Sequence, residues 1–234
     1  MTTAPPLASH IDHLVVAAAS LDEGVQWCEK TLGITPGPGG EHPLMGTHNR
    51  LLSVASSTFP LAYLEIIAIH SGAACARSAG AKRWFDLDNP ELRAQLTQSG
   101  PRLIHFVART ARADLAVGAL AKLGLDRGEV LAASRPTAQG LLRWKITVRH
   151  DGQRLFYGAL PTLIEWGPDH PAQGMPVSGV VLQSLSAHHP RADALRAGYD
   201  AIGLADVEVT PGAPNLIATL QTPLGLVMLE SGGM

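Results

Sequence analysis

The sequence predicts an α+β fold assembled from a repeated unit of one strand, one helix and two or three further strands. Three observations predict it. Three helix ends rhyme: "KTLGI" at 30–34, "AKLGL" at 121–125 and "DAIGL" at 200–204, each with glycine between apolar residues. An apolar strand precedes each helix, "IDHLVVAAA", "RLIHFVART" and "GVVLQSLSA" in turn. Further strand-like runs then follow each helix. Self-similarity at a fixed spacing is the mark of a repeated architecture.

Each element has a local reason. Glycine after an apolar helix end is the left-handed cap, where a residue with a Cβ is strained. In the first helix Leu21, Val25, Cys28 and Leu32 form an apolar stripe, and Ser20 and Glu23 have capping-box spacing. Ala116, Leu120 and Leu123 make the stripe of the second, and Leu195, Tyr199 and Ile202 that of the third. The later strands are "THNRLLSVA" and "LAYLEIIAI", then "EVLAAS", "LLRWKITVR" and "TLIEWG", then "ADVEVT", "NLIATLQT" and "LVMLES".

The repeat divides the chain into a first βαβββ module at 8–70, a connecting loop and helix at 71–100, a second βαβββ module at 101–168 and a third, partial βαββ-type module at 177–231. The first two modules are expected to pair into a curved sheet around a cavity. The third is expected either to extend that sheet or to form part of a subunit contact, which leaves a homodimer open.

Composition narrows the function classes. With 234 residues, 46% of them apolar, the chain can bury a substantial core. A net charge of −2 gives no electrostatic hold on nucleic acid or an anionic membrane. The two cysteines, Cys28 and Cys75, have neither zinc-cluster nor disulfide-framework spacing. "MTTAPPLASH" lacks the features of a signal peptide, and no segment is long enough to span a bilayer, so the expected location is the cytoplasm.

The chemistry sits in the repeat. His13 lies 20 residues before Gly33, His105 lies 19 before Gly124, and Gln183 lies 20 before Gly203. Two copies therefore carry histidine at one place and the third carries glutamine. Each copy ends in a strand with a glutamate in an apolar setting: Glu65, Glu165 and Glu230. Alternation puts His13 on one face with Ile11, Val15 and Ala17, and His105 with Leu103, Val107 and Arg109. If helices cover the other side, the histidines and glutamates meet on the concave one. A carboxylate there is costly unless paired, hydrogen-bonded or metal-bound. Two histidines and two glutamates suit zinc, nickel, iron, manganese or cobalt. The competing explanation is a hydrogen-bonded core histidine beside glutamates paired with Arg109, Arg143 or Arg149.

The pattern resembles the vicinal oxygen chelate superfamily, which includes glyoxalase I, extradiol dioxygenases, epimerases and fosfomycin- or bleomycin-resistance proteins. The resemblance to bacterial glyoxalase-like domain proteins rests on "DHLVVA", "HPLMGTHNRLL" at 42–52, "YLEIIA" and "PTLIEWGPDHPA". It implies metal ligands at His13, Glu65, His105 and Glu165, holding Zn, Ni, Fe(II) or Mn, with the metal-free state as the alternative. It also implies capture of a small molecule through neighbouring oxygens, by a lyase, isomerase or dioxygenase. Glu165 or His48 would move the proton, and His48, Asn49, Trp144 and Arg109 would contact the substrate. A metal-free binding or sequestering protein on the same fold is the alternative function.

Overall fold

The computed structural model describes residues 6–137 and 140–233. The first module runs β1 (Ser9–Ala17), α1 (Leu21–Leu32), β2 (Glu41–His42), β3 (Thr47–Ser53) and β4 (Tyr63–Ile69). A connecting segment carries α2 (Pro90–Ser99). The second module runs β5 (Arg102–Thr110), α3 (Ala113–Ala121), β6 (Glu129–Thr137), β7 (Gly140–Val148) and β8 (Thr162–Trp166). The third runs β9 (Val181–His188), α4 (Ala192–Ile202), β10 (Glu208–Thr210), β11 (Asn215–Thr222) and β12 (Gly225–Glu230).

Gly33 and Gly203 cap their helices as expected, whereas α3 is capped at Lys122 and Gly124 turns the chain just beyond it. Gly33, Gly124 and Gly203 have φ of 74°, 72° and 65°. At Gly203 a Cβ would also run into the Leu7 carbonyl, so this position excludes side chains twice over. Ser20 Oγ accepts from Glu23 N at 3.2 Å, closing the first turn of α1.

Modules one and two share one eight-stranded sheet in the order β2-β3-β4-β1-β5-β8-β7-β6. β1 and β5 pair antiparallel at its centre, with Leu14 opposite Phe106. The sheet curls until its two edges meet: a Cβ at Gly40, just before β2, would strike the Arg135 side chain of β6. Leu14, Val16, Leu64 and Phe106 face the helices and belong to one buried cluster with Cys28, Leu32 and Leu120. Val15, Ala17, Ile67 and Val107 face the concave side. The connecting segment covers them there with Trp84, Phe85, Leu92 and Leu96.

The third module does not extend this sheet. It forms its own four-stranded sheet, β10-β9-β11-β12. Leu182, Leu185, Leu195, Ile202 and Leu216 pack into the same cluster as the helix-facing side of the large sheet. The reason is apolar burial: both faces of the central strands are hydrophobic, and α1 and α3 leave part of the outer face to cover. Tyr199 Oη fastens α4 by donating to the Ala159 carbonyl at 2.6 Å. Gln183 is exposed, and Glu230 accepts from Asn215 within the module at 2.9 Å.

Candidate functional site

The central strand pair is irregular in two places. Ile11 is opposite Ala108 and His13 opposite Val107, so Asp12 is an extra residue in β1. Val15 is opposite His105 and Val16 opposite Leu103, so Ile104 is an extra residue in β5. Equivalent positions in the two modules differ by 92 residues, which makes Asp12 and Ile104 one bulge occurring twice. A bulge re-aims side chains. Ile11 and Leu103 accordingly lie among the helix-facing residues, not beside the histidines as simple alternation predicts.

In the first module the bulge builds a polar site. Asp12 is fully buried. Its Oδ1 lies 2.6 Å from His13 Nδ1, and its Oδ2 accepts from His170 Nε2 at 2.9 Å and Trp166 Nε1 at 2.8 Å. Burial alone would raise the Asp12 carboxyl. The hydrogen bonds and charges of His13 and His170 outweigh that and hold it well below the usual carboxylate range. An ionised Asp12 only accepts, so His13 Nδ1 carries the proton and Nε2 is the ring's working atom.

His13 Nε2 faces Glu65 Oε2 at 3.6 Å. Glu65 is buried, and its other oxygen accepts from Asn49 Nδ2 at 2.6 Å. Asn49 is fixed in turn, its Oδ1 accepting from Gly40 N at 2.8 Å. Tyr63 stacks on the His13 ring with centroids 4.5 Å apart. The pair opens on a narrow cavity of about 40 Å³, room for a few water molecules, which is also lined by His42, Trp84, Arg135, Trp144 and Trp166. Burial, and then the Arg135 charge, push His42 down to about 3, so it is neutral at ordinary pH.

In the second module the same position is structural. His105 is fully buried, close to the Phe85 ring. Its Nδ1 donates to the Gly158 carbonyl at 2.7 Å, and its Nε2 accepts from Thr162 N at 3.1 Å with Thr162 Oγ1 at 3.0 Å. Burial, then the Arg127 charge, keep it well below the ordinary histidine range. Strand register explains the partner. Val15 pairs with Glu65, and its repeat equivalent Val107 pairs with Thr162. Thr162, not Glu165, therefore stands where Glu65 stands. Glu165 lies three residues on, an odd step that turns it to the other face. There it accepts from Ala113 N at the start of α3 at 2.8 Å and from Lys145 Nζ at 2.8 Å.

The expected set of His13, Glu65, His105 and Glu165 thus separates into a pair at the cavity, a core histidine and a helix-capping carboxylate. Among the described residues no three His, Cys, Asp or Glu side chains converge as a metal would need. The donors do not fit the metal expected from them: both His105 nitrogens are committed within the protein, and Glu165 faces away.

Two other expectations also move. His48 neighbours Asn49 on β3, so only one of them can face inward. Asn49 does, and His48 stacks on His70 with centroids 4.7 Å apart. Arg109 donates to the Ile11 carbonyl at 2.8 Å and lines neither cavity, whereas Trp144 does line the site. Sequence reasoning missed Asp12, His42, Trp84, Arg135, Trp166 and His170. The signals present were the acid beside His13 in "DHLVVA" and the histidine of "DHPA" at 169–172. A larger groove of about 970 Å³ elsewhere, along Arg149, Tyr157 and His189, contains none of the residues expected at the site.

Comparison with known proteins agrees with this architecture. Residues 11–203 match the glyoxalase-like domain family. The chain belongs to that family. It is a vicinal oxygen chelate protein, as its motifs imply, and divalent metals are common in that superfamily. Among solved structures, this glyoxalase-like chain is similar to a hypothetical protein from Staphylococcus aureus. The TM-score is 0.58 and the identity 11%, over 95% of this chain and 85% of that one. A methylmalonyl-CoA epimerase from Mycobacterium tuberculosis matches with a TM-score of 0.39 and 18% identity, over 72% of this chain and 93% of that one. A Streptomyces coelicolor methylmalonyl-CoA epimerase in complex with 2-nitronate-propionyl-CoA matches at 0.38 and 17%, over 68% and 96%. No curated protein matches by sequence. No helix among the described residues is long and apolar enough to cross a membrane.

Proposed function

We propose that this chain is a proton-transferring enzyme of isomerase or lyase type, acting on a small carbonyl compound in the cavity beside β1 and β4. One observation carries the reading. His13 Nε2 and Glu65 Oε2 face each other at 3.6 Å across the cavity wall, each held from behind, by Asp12 and Asn49 respectively.

Two acceptor atoms so placed share a proton or take one from a ligand. With that proton on His13, Asp12 stabilises the imidazolium and Glu65 is a free carboxylate. Glu65 Oε2 can then take the proton from the carbon next to a carbonyl, while His13 Nε2–H donates to the oxygen on which charge develops. Return of a proton to the same or a neighbouring carbon completes an isomerisation; loss of a β-substituent completes a lyase reaction. A gap of 3.6 Å is longer than a hydrogen bond and leaves the two atoms free to engage a substrate instead of each other. The expected metal ligands do not converge, so the reading uses the side chains of this chain alone.

The test is exchange of carbon-bound hydrogen for deuterium in heavy water, followed by proton NMR over a panel of small 2-oxo and 2-hydroxy acids, ketones and aldehydes. The expected result is protein-dependent exchange in at least one compound, slowed about 100-fold or more in Glu65→Gln and His13→Gln. Binding of panel compounds with no exchange in any of them would instead support a metal-free binding protein, a function the tightness of the cavity also suits.

A further inference from the structure

Two buried donors at the cavity have no partner among the described residues. Arg135 Nη1 and Trp84 Nε1 are both shielded from solvent and make no hydrogen bond to any of those residues. Both residues line the cavity that holds His13 and Glu65. Trp84 is 7% exposed. Buried donors almost always find a partner, because leaving one unmade costs about 1–3 kcal/mol, and more when the group is charged. Two such donors in one small cavity, one of them a guanidinium, await an acceptor that carries negative charge.

The surroundings hold the guanidinium in place. Arg135 comes from β6, at the far edge of the sheet, and lies on the backbone of Gly40 at the near edge, where any side chain would strike Nη1. Gly40 N donates to Asn49, and Asn49 donates to Glu65. The cationic end lies against the Gly40 backbone, whose N–H is linked through Asn49 to the proposed base. His42, which lies between these groups, is kept neutral and adds no competing charge. Indole and phenyl rings of Trp84, Phe85, Trp144 and Trp166 form much of the remaining wall. They offer apolar surface and no further charge.

From this juxtaposition we infer that the ligand is a small planar carboxylate, its carboxylate held by Arg135 Nη1 and Trp84 Nε1 and its body lying between the aromatic walls. The inference deepens the functional reading above and rests on it only for which end of the ligand meets Glu65.

The experiment compares acetate with acetamide, and glyoxylate with glyoxylamide, by ligand-observed NMR titration against wild-type protein, Arg135→Gln, Gly40→Ala and Trp84→Phe. Each pair keeps shape and changes charge. Wild type is expected to bind at least one carboxylate about tenfold or more tightly than its amide. Arg135→Gln should abolish that preference, Gly40→Ala should weaken it by displacing the guanidinium, and Trp84→Phe should weaken carboxylate binding about fivefold while keeping the wall. Arg135→Lys, which keeps the charge, should restore part of the preference. Circular dichroism of each variant checks that the fold is retained. Equal binding of acid and amide by wild type, or a preference unchanged in Arg135→Gln, would overturn the inference. Failure of the proton-transfer reading is separable: a wild-type preference for carboxylates that Arg135→Gln abolishes stands even if no compound exchanges deuterium.

Discussion

Asp12 Oδ1 lies 2.6 Å from His13 Nδ1, although the two residues are neighbours on one strand whose side chains should point to opposite faces. The bulge at Asp12 allows it. The same bulge in the second module holds Ile104, which can orient nothing. This difference separates the two histidines of the repeat. Asp12 also accepts from His170 and Trp166, so Asp12→Ala leaves three buried donors unpaired. A loss of about 3–5 kcal/mol of stability is expected, measured by urea denaturation. Asp12→Asn should fold more stably than Asp12→Ala and lose the preference for the Nδ1–H form of His13, read from the ring ¹⁵N shifts.

His105 should behave as a core residue. His105→Ala removes the hydrogen bonds to Gly158 and Thr162 and empties a buried site. It should cost about 2–4 kcal/mol in denaturant unfolding. In protein that remains folded, carboxylate binding should be unchanged within about twofold, since His105 does not line the cavity. A folded variant whose binding collapsed would return His105 to the site.

Glu165 should act on α3 and not on chemistry. Arg112 offers α3 no side-chain cap, and Glu165 takes the first helical N–H instead. Burial raises the Glu165 carboxyl, but the hydrogen bonds from Lys145 and Ala113 together lower it below its ordinary value. Glu165→Ala should cost about 1 kcal/mol, the usual size of a lost cap, seen as a lower denaturation midpoint with an unchanged slope.

Stability should fall as the solution is acidified from neutrality. His42, pushed down to about 3, and His105, held well below the histidine range, stay neutral in the folded protein and take up protons once unfolded. Between about 6.5 and 3 the unfolded state binds more protons, so stability rises with pH there and is lost as pH drops below about 6.5. Asp12, ionised when folded, adds a further loss as pH falls through the ordinary aspartate range. Urea unfolding at pH 7.5 and 5.0 measures this, and His105→Gln should flatten the difference. Equal stability at the two pH values would contradict it.

The architecture was legible because glycine caps and strand alternation are local rules. Gly33, Gly124 and Gly203 marked three helix ends, and counting back from them made His13 and His105 equivalent. Strand register is not local, and there the sequence misled. Glu165 and Glu65 both sit in a last strand, but only the pairing of Val107 with Thr162 shows that they are not equivalent. Bulges were equally hidden, so Ile11 and Leu103 were assigned to the wrong face. His48 and Asn49 looked alike in "GTHN", and one residue of alternation divides them. Trp84 and Arg135 reach the cavity from a connecting segment and an edge strand, by closure of the sheet, and no sequence period announces such a contact. The third module was visible as a repeat, but its separate sheet depends on which apolar face needed covering.

The most direct test of the central claim sets Glu65→Gln beside Glu165→Gln in the deuterium-exchange assay, using whichever compound the wild-type protein exchanges. The account predicts exchange slowed about 100-fold or more by Glu65→Gln and unchanged within about twofold by Glu165→Gln. Exchange that survives Glu65→Gln, or that is lost in folded Glu165→Gln, would contradict it.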